Sequence, residues 1–280
     1  MKDYVSLKIG GNADVMAFPQ DAADLRELVK FAWTKKFPLF YLGGGTNILV
    51  RDKGIRGIVI NLNEGMKDIT FLDDKKVIAG SGVKLTELLK QCGEKGLSGL
   101  EFSVGIPGVL GGAVVMNAGC YGREMCDVVE GVEIIDKKGK KGFLSNAELG
   151  FDYRKSKLPE GAVVVKVHLA LSAADPADIK ARIKELRAKR KESAPVARPN
   201  AGSIFKNPEG KSAGQLIDEA GLKGLSAGGA KISPEHANYI VNNGGAKAAD
   251  VLSLMATIRD KVYSSTGVML EPEIKVIGED

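Results

Sequence analysis

The chain has 280 residues, enough for about two domains, and its 44% hydrophobic and 27% charged content fits a soluble globular protein. A net charge of +5 suits an anionic ligand without requiring nucleic acid. Three cysteines (Cys92, Cys120, Cys126) with no CxxC spacing argue against a disulfide framework or a zinc site, and two histidines, His168 and His236, are too few for a His-based metal site, so no metal is expected.

In chain order, Lys8-Ile9-Gly10-Gly11 reads as an early strand and turn. Asp21 to Lys36 reads as a helix, with Leu25, Leu28, Val29 and Ala32 on one face. Pro38 to Leu42 is a predicted strand running into Gly43-Gly44-Gly45-Thr46-Asn47. Ile48 to Val50 and Gly57 to Leu62 are further strands. Lys76 to Gly80 is another, followed by a helix that turns Leu85, Leu88, Leu89 and Cys92 inward. The uncharged run from Phe102 to Gly122 is long enough to raise a membrane span. Pro107 and the glycines at 105, 108, 111, 112 and 119 make it a poor helix, so buried, tightly turning backbone is expected.

Val128 to Ile135 and Ala162 to Leu171 read as strands, with a hairpin turn at Lys138-Gly139. Pro176 to Lys191 is helical, with Ile179, Ile183 and Leu186 inward and a basic outer face. That face reads as solvated, because no aromatic residues interleave for base stacking. Pro195 and Pro199 mark a break. Ser212 to Ala220 is a helix announced by Ser212 and Gln215 as a capping box. Asn238 to Val241 is a strand, Asp250 to Tyr263 a helix, and Met269 to Ile277 a strand carrying Glu271 and Glu273. No solenoid repeat is present, and the mixed element order points to α+β.

Three stretches carry chemistry. Gly43 to Asn47 joins two strands, and is either a tight turn or a loop whose backbone N–H groups approach phosphate, aided by Thr46 and Asn47. It is not a dinucleotide fingerprint, since no GxGxxG opens a helix. Gly105 to Ala113, continued by Asn117 to Gly122, is either a buried crossover or apolar backbone wrapping a large flat ligand. Two such loops suggest a long pyrophosphate cofactor such as FAD. Asn200 to Pro208 gathers Ser203, Lys206 and Asn207 in turn-forming residues before a helix start, a setting that suits a bound anion.

Taken together, Lys8 to Gly11, Gly43 to Val50, Gly105 to Gly122, Tyr153-Arg154-Lys155-Ser156, Ala201 to Pro208 and Leu270 to Gly278 resemble, in order and over nearly the whole chain, the UDP-N-acetylenolpyruvoylglucosamine reductase family in its compact subtype. The resemblance implies a vanillyl-alcohol-oxidase-like FAD-binding fold: FAD subdomains over residues 1–62 and 63–192, and a C-terminal α+β substrate domain over 193–280 whose last strand can return to the FAD domain. It implies a cytoplasmic flavoprotein that uses NADPH to reduce the enolpyruvyl ether of UDP-N-acetylglucosamine to UDP-N-acetylmuramate, for peptidoglycan. Its partners would be NADPH and the UDP-sugar, with no nucleic acid and no membrane insertion. The sequence does not set the oligomeric state and is compatible with a monomer.

By the same resemblance Ser203 is the proton donor, Arg154 the carboxylate and enolate partner, and Glu273 the assisting glutamate. Glu273 is preferred to Glu271 because it directly precedes Ile274-Lys275-Val276-Ile277-Gly278. Gly43, Gly44, Gly45, Thr46, Asn47, Gly105, Ile106, Gly108, Gly111, Gly112, Ala113, Asn117 and Gly119 would bind FAD. Tyr153, Lys206, Asn207, Gln215 and Lys223 would contact the substrate. Three positions depart from the family pattern: Val109 replaces a serine or threonine, Cys120 an alanine, and Ser193-Ala194-Pro195 lacks a glutamine. Two rivals are another FAD oxidoreductase of this fold and a nucleotide-sugar-binding module without redox activity.

Overall fold

The computed structural model describes residues 1–73, 75–193 and 198–280; the expected break at Pro195 lies outside them. In chain order the main elements begin β1 (Ala13–Ala17), α1 (Ala22–Lys35), β2 (Leu39–Leu42), β3 (Ile48–Val50), β4 (Ile55–Asn61), β5 (Ile69–Phe71), β6 (Lys76–Gly80), α2 (Leu85–Glu94) and α3 (Leu110–Val115). They continue as β7 (Val129–Ile135), β8 (Lys141–Ser145), β9 (Val163–Ala170) and α4 (Pro176–Ser193). The chain ends with β10 (Asn200–Ser203), α5 (Ala213–Glu219), β11 (Ser226–Ala227), β12 (Ala230–Ile232), β13 (Tyr239–Asn242), α6 (Ala248–Thr266) and β14 (Lys275–Ile277).

Two compact units divide these elements, one formed by Met1–Asp14, Gly45–Arg56 and Lys191–Asp280, the other by Val15–Gly44 and Gly57–Arg190. The second unit holds an antiparallel sheet in the order β8-β7-β9-β6-β5 and a smaller sheet in the order β1-β4-β2. Its larger core gathers Leu85, Leu88 and Cys92 of α2 with Leu110 and Val114 of α3 against Val77, Val132 and Val167 of the sheet. Its smaller core sets Leu25, Val29 and Ala32 of α1 against Ile58 and Ile60 of β4. Asp21 caps α1 by accepting from the Ala23 and Asp24 N–H groups, and Lys36 ends it with φ 58°.

The first unit carries an antiparallel sheet in the order β10-β13-β12-β11, covered by α5 and α6. Ala213, Ile217, Val251, Leu254 and Ile258 bury their side chains with Ile204, Phe205 and Ile240. Asp52 spans the start of α6, accepting from the Ala248 and Ala249 N–H groups at 2.9 and 3.1 Å. β14 pairs in parallel with β3.

Several expectations need correction. Lys8 to Gly11 is a loop rather than a strand, because Lys8 and Gly10 have φ of 57° and 130°. A Cβ at Gly10 would stand 2.6 Å from the Val50 Cβ, so the segment packs through its missing side chain. The 102–122 run contains the short helix α3 despite Gly111 and Gly112. Tertiary bonds outweigh propensity there: the Leu110 N–H reaches the Val83 carbonyl at 2.8 Å and the Gly111 N–H reaches Ser81 at 2.9 Å. Asn200 to Ser203 is a strand rather than a turn, and the glycine- and serine-rich stretch before Pro234 contains the β11–β12 hairpin. The final strand spans only Lys275–Ile277, since Pro272 cannot donate to a ladder. No helix among the described residues is long and apolar enough to cross a membrane.

Candidate active site

In the first unit, the sheet delivers Ser203 at the end of β10. Asn200 pairs with Val241 and Ser203 with Tyr239, and the register shifts between them. Gly202 makes the shift, with φ 75° and its N–H donating to Asn200 Oδ1 at 3.0 Å. A Cβ at Gly202 would meet nothing within 4 Å, so the backbone angle, not crowding, requires glycine.

The residues behind Ser203 are fixed from both sides. Asn238, only 3% exposed, accepts from the Phe205 N–H at 3.0 Å and donates to the Phe205 carbonyl at 2.8 Å. The Ile204 carbonyl accepts the Glu273 N–H at 2.8 Å, which places the backbone of Glu273 beside the residue after Ser203. Asn47 Nδ2 donates to the Glu273 carbonyl at 3.2 Å, and the Asn47 carbonyl accepts from the Lys275 N–H at 3.0 Å. Three expected site segments, around Asn47, Ser203 and Glu273, thus meet within one unit.

The neighbouring polar residues have partners inside the protein. Lys206 Nζ pairs with Glu271 at 2.5 Å, and Lys223 Nζ with Asp218 at 2.5 Å. Asn207 Oδ1 accepts from the Ala213 N–H at 3.0 Å, and Ser212 Oγ from the Gln215 N–H at 3.3 Å. The start of α5 therefore caps its Ala213 and Gln215 N–H groups within the protein. Ser212 makes the hydroxyl half of the expected box. Gly45 has φ 62°, and a Cβ there would stand 2.3 Å from the Tyr4 carbonyl oxygen. Thr46 and Asn47 follow it, half-buried.

In the second unit, Gly43 is held by Asn63 Nδ2, which donates to its carbonyl at 2.9 Å. A Cβ on Gly43 would lie 2.9 Å from Val109 Cγ2, so the valine packs directly on the loop that Gly44 continues. Gly105 and Gly108, flanking the half-buried Ile106, take φ of 75° and 112°. A Cβ at Gly111 would meet the Ser81 Cβ at 2.7 Å, so the fold itself needs that glycine. Gly112 is different. It is exposed, its φ is ordinary, and a Cβ would meet nothing within 4 Å. Neither backbone strain nor packing explains a glycine inside this helix, where it costs about 1 kcal/mol relative to alanine. The missing side chain there leaves room for close approach by a ligand. Beside it, Ala113 is buried. The chain thus offers the uncharged, close-approach backbone that FAD requires, and the fit is good.

Asn117 is buried with φ 41° and its carboxamide is spent internally. Its Nδ2 donates to Glu124 Oε2 at 2.7 Å and to the Asp152 carbonyl at 3.2 Å, while its Oδ1 accepts from the Cys126 N–H at 3.0 Å. Glu124 also faces Arg154, with 3.8 Å between Oε1 and Nη1. Arg154 Nη2 donates to the Gly119 carbonyl at 3.2 Å, and the guanidinium lies 4.9 Å from the centre of the Tyr153 ring. With its side chain 19% exposed, Arg154 is a positioned cation rather than a surface ion pair. Glu124, Asn63 and Asn238 were not anticipated. Each is a single polar residue in an unremarkable segment, and only its long-range partners reveal its role.

The comparisons agree along the chain. Residues 194–277 match the family described as UDP-N-acetylenolpyruvoylglucosamine reductase, C-terminal domain, and residues 13–141 match the FAD binding domain. The UDP-N-acetylenolpyruvoylglucosamine reductase of Heliobacterium modesticaldum is 46% identical, covering 100% of this chain and 89% of the relative. That of Caldanaerobacter subterraneus is 45% identical, covering 100% and 92%. The crystal structure of UDP-N-acetylenolpyruvylglucosamine reductase from Thermus caldophilus matches with a TM-score of 0.85 at 41% identity, covering 99% of this chain and 97% of that one. The chain belongs to the UDP-N-acetylenolpyruvoylglucosamine reductase family.

Proposed function

We propose that this protein reduces the enolpyruvyl ether of UDP-N-acetylglucosamine to UDP-N-acetylmuramate with NADPH, in peptidoglycan precursor synthesis, and that Ser203, Arg154 and Glu273 carry the chemistry. Bound FAD would supply hydride chemistry, taking two electrons from NADPH and making them available to the β carbon of the enolpyruvyl group. The α carbon then needs a proton, and the developing charge spreads into the carboxylate. Ser203 Oγ supplies that proton. A serine hydroxyl is a weak acid, so its delivery depends on positioning and on a stabilised enolate. Arg154 stabilises it, because a guanidinium can donate two parallel hydrogen bonds to a carboxylate. Glu273 assists at the same intermediate.

The observation that carries this reading is the bond from the Glu273 N–H to the Ile204 carbonyl, which ties the proposed donor and its assistant through one backbone contact. Gly43 to Asn47 and Gly105 to Gly119 would hold the cofactor, with room for it at Gly112. Tyr153, Lys206, Asn207, Gln215 and Lys223 would contact the UDP-sugar, for which Lys206 and Lys223 must exchange Glu271 and Asp218 for phosphate. Residues 1–62 and 63–192 would serve FAD, and 193–280 the substrate. Three cysteines, an odd count with no CxxC spacing, support a reducing compartment, the cytoplasm. Anaerobic addition of NADPH to the purified yellow protein is expected to bleach the flavin, and the enolpyruvyl substrate to restore it. Bleaching without restoration would refute the substrate assignment.

A further inference from the structure

The end of α1 presents an aromatic and basic surface that the reductase chemistry does not use. Phe31, Trp33 and Phe37 fall within seven residues and each is about half exposed, Trp33 at 47%. Phe31 and Phe37 stack with ring centres 5.9 Å apart. Trp33, the sole tryptophan, has Lys137 Nζ and Lys138 Nζ at 5.7 and 5.6 Å from its ring centre. Those lysines belong to the β7–β8 turn, which Arg26 fastens to α1 by donating to the Gly139 carbonyl at 2.9 Å. Lys35 and Lys36 close the helix.

The acidic groups nearby cancel only part of this charge. Glu27 pairs with Lys30 and Glu160 with Lys137, both at 2.9 Å. Asp136 accepts the Lys140 and Lys138 backbone N–H groups, which hold its carboxyl below the usual range, so it stays ionised and offsets one positive charge of the turn. Among the described residues Lys35, Lys36 and Lys138 have no ion-pair partner. Exposed aromatic surface beside ammonium groups without ion-pair partners suits an interface that is apolar beneath and anionic above. Tryptophan favours the headgroup region, and anionic leaflets attract lysine clusters. A nucleic-acid strand fits less well. Phe31 and Trp33 are two positions apart, so about 200° separates them around the helix. They lie on opposite flanks of the helix rather than forming one track for successive bases, and the flank a charged lipid surface would meet is that of Trp33, with two lysines over its ring.

We propose that the C-terminal end of α1 and the adjoining β7–β8 turn dock this protein on an anionic lipid surface as a peripheral contact. Apolar burial of the Trp33 ring and attraction of the lysines act together, so binding weakens with salt. Because Trp33 is the only tryptophan, its emission reports on the docking face alone.

The test uses FAD-loaded enzyme at low salt with vesicles of phosphatidylcholine, or of phosphatidylcholine mixed equally with phosphatidylglycerol. The mixed vesicles are expected to co-sediment the protein and shift Trp33 emission to the blue; phosphatidylcholine alone should do neither. The double variant Lys137→Gln/Lys138→Gln should bind the mixed vesicles about 30-fold more weakly. Its NADPH-driven turnover in the absence of vesicles should be unchanged. Co-sedimentation without an emission shift, or equal binding by the double variant, would overturn the proposal. So would a shift produced by a single-stranded oligonucleotide but not by mixed vesicles, which would assign the face to nucleic acid.

Discussion

Asn238 shows how one side chain can hold a reactive segment without touching the reaction. Phe205 is buried, so its N–H and C=O cannot be satisfied by water, and the Asn238 carboxamide satisfies both. Replacing Asn238 with alanine orphans two buried groups, each worth about 1–3 kcal/mol. The expected loss is about 2–4 kcal/mol, read as a lower urea midpoint with an unchanged slope. A loss below about 0.5 kcal/mol would mean that the strand end rearranges and that Asn238 is not its clamp. Arg154 obeys the same logic in the other unit. Glu124, the Gly119 carbonyl and the Tyr153 ring fix the guanidinium. Its left-handed φ of 59° is a conformation that a non-glycine residue seldom adopts, and such strain is often kept where function needs it.

At the scale of elements, regular helices and long strands were legible and conformations fixed by tertiary contact were not. α1, α2, α4 and α6 follow their apolar periodicity, and Leu25, Val29, Leu88, Ile179 and Ile258 are buried as expected. The lysine–glycine turn does close the β7–β8 hairpin, with Gly139 at φ 81°. The misses share a cause. Lys8 to Gly11 alternates like a strand, but its extended reading fails against the Val50 side chain. α3 contains two glycines and forms because Val83 and Ser81 supply carbonyls from elsewhere in the chain. Single-segment patterns do not contain that information. The site followed the same division: the glycine loops and the Ser203 segment stood out by composition, whereas Asn63, Glu124 and Asn238 did not. Gly112→Ala separates the two reasons for a glycine. The free protein should be as stable as the original or up to about 1 kcal/mol more stable, since the new methyl meets nothing and alanine favours helix. FAD affinity should fall, as measured by fluorescence titration of the stripped enzyme. Unchanged affinity would remove Gly112 from the cofactor cradle.

For the whole molecule, the family relationship spans the entire chain. FAD bound only by the folded protein should stabilise it by about 2.7 kcal/mol at a free concentration of 100 times its dissociation constant. The melting temperature should therefore rise with added FAD, and a melting temperature indifferent to FAD would contradict a preformed site. The complete reaction is also where the role of Ser203 becomes measurable, because hydride and proton enter in separable stages. The most direct measurement is anaerobic stopped-flow absorbance of FAD in the Ser203→Ala enzyme, first with NADPH and then with the enolpyruvyl substrate. Bleaching by NADPH is predicted to match the wild-type rate. Recovery with substrate is predicted to slow by about 10²–10⁴, the usual worth of a positioned general acid. Recovery at the wild-type rate would contradict the account, and Ser203 would be a strand residue with no part in the proton transfer.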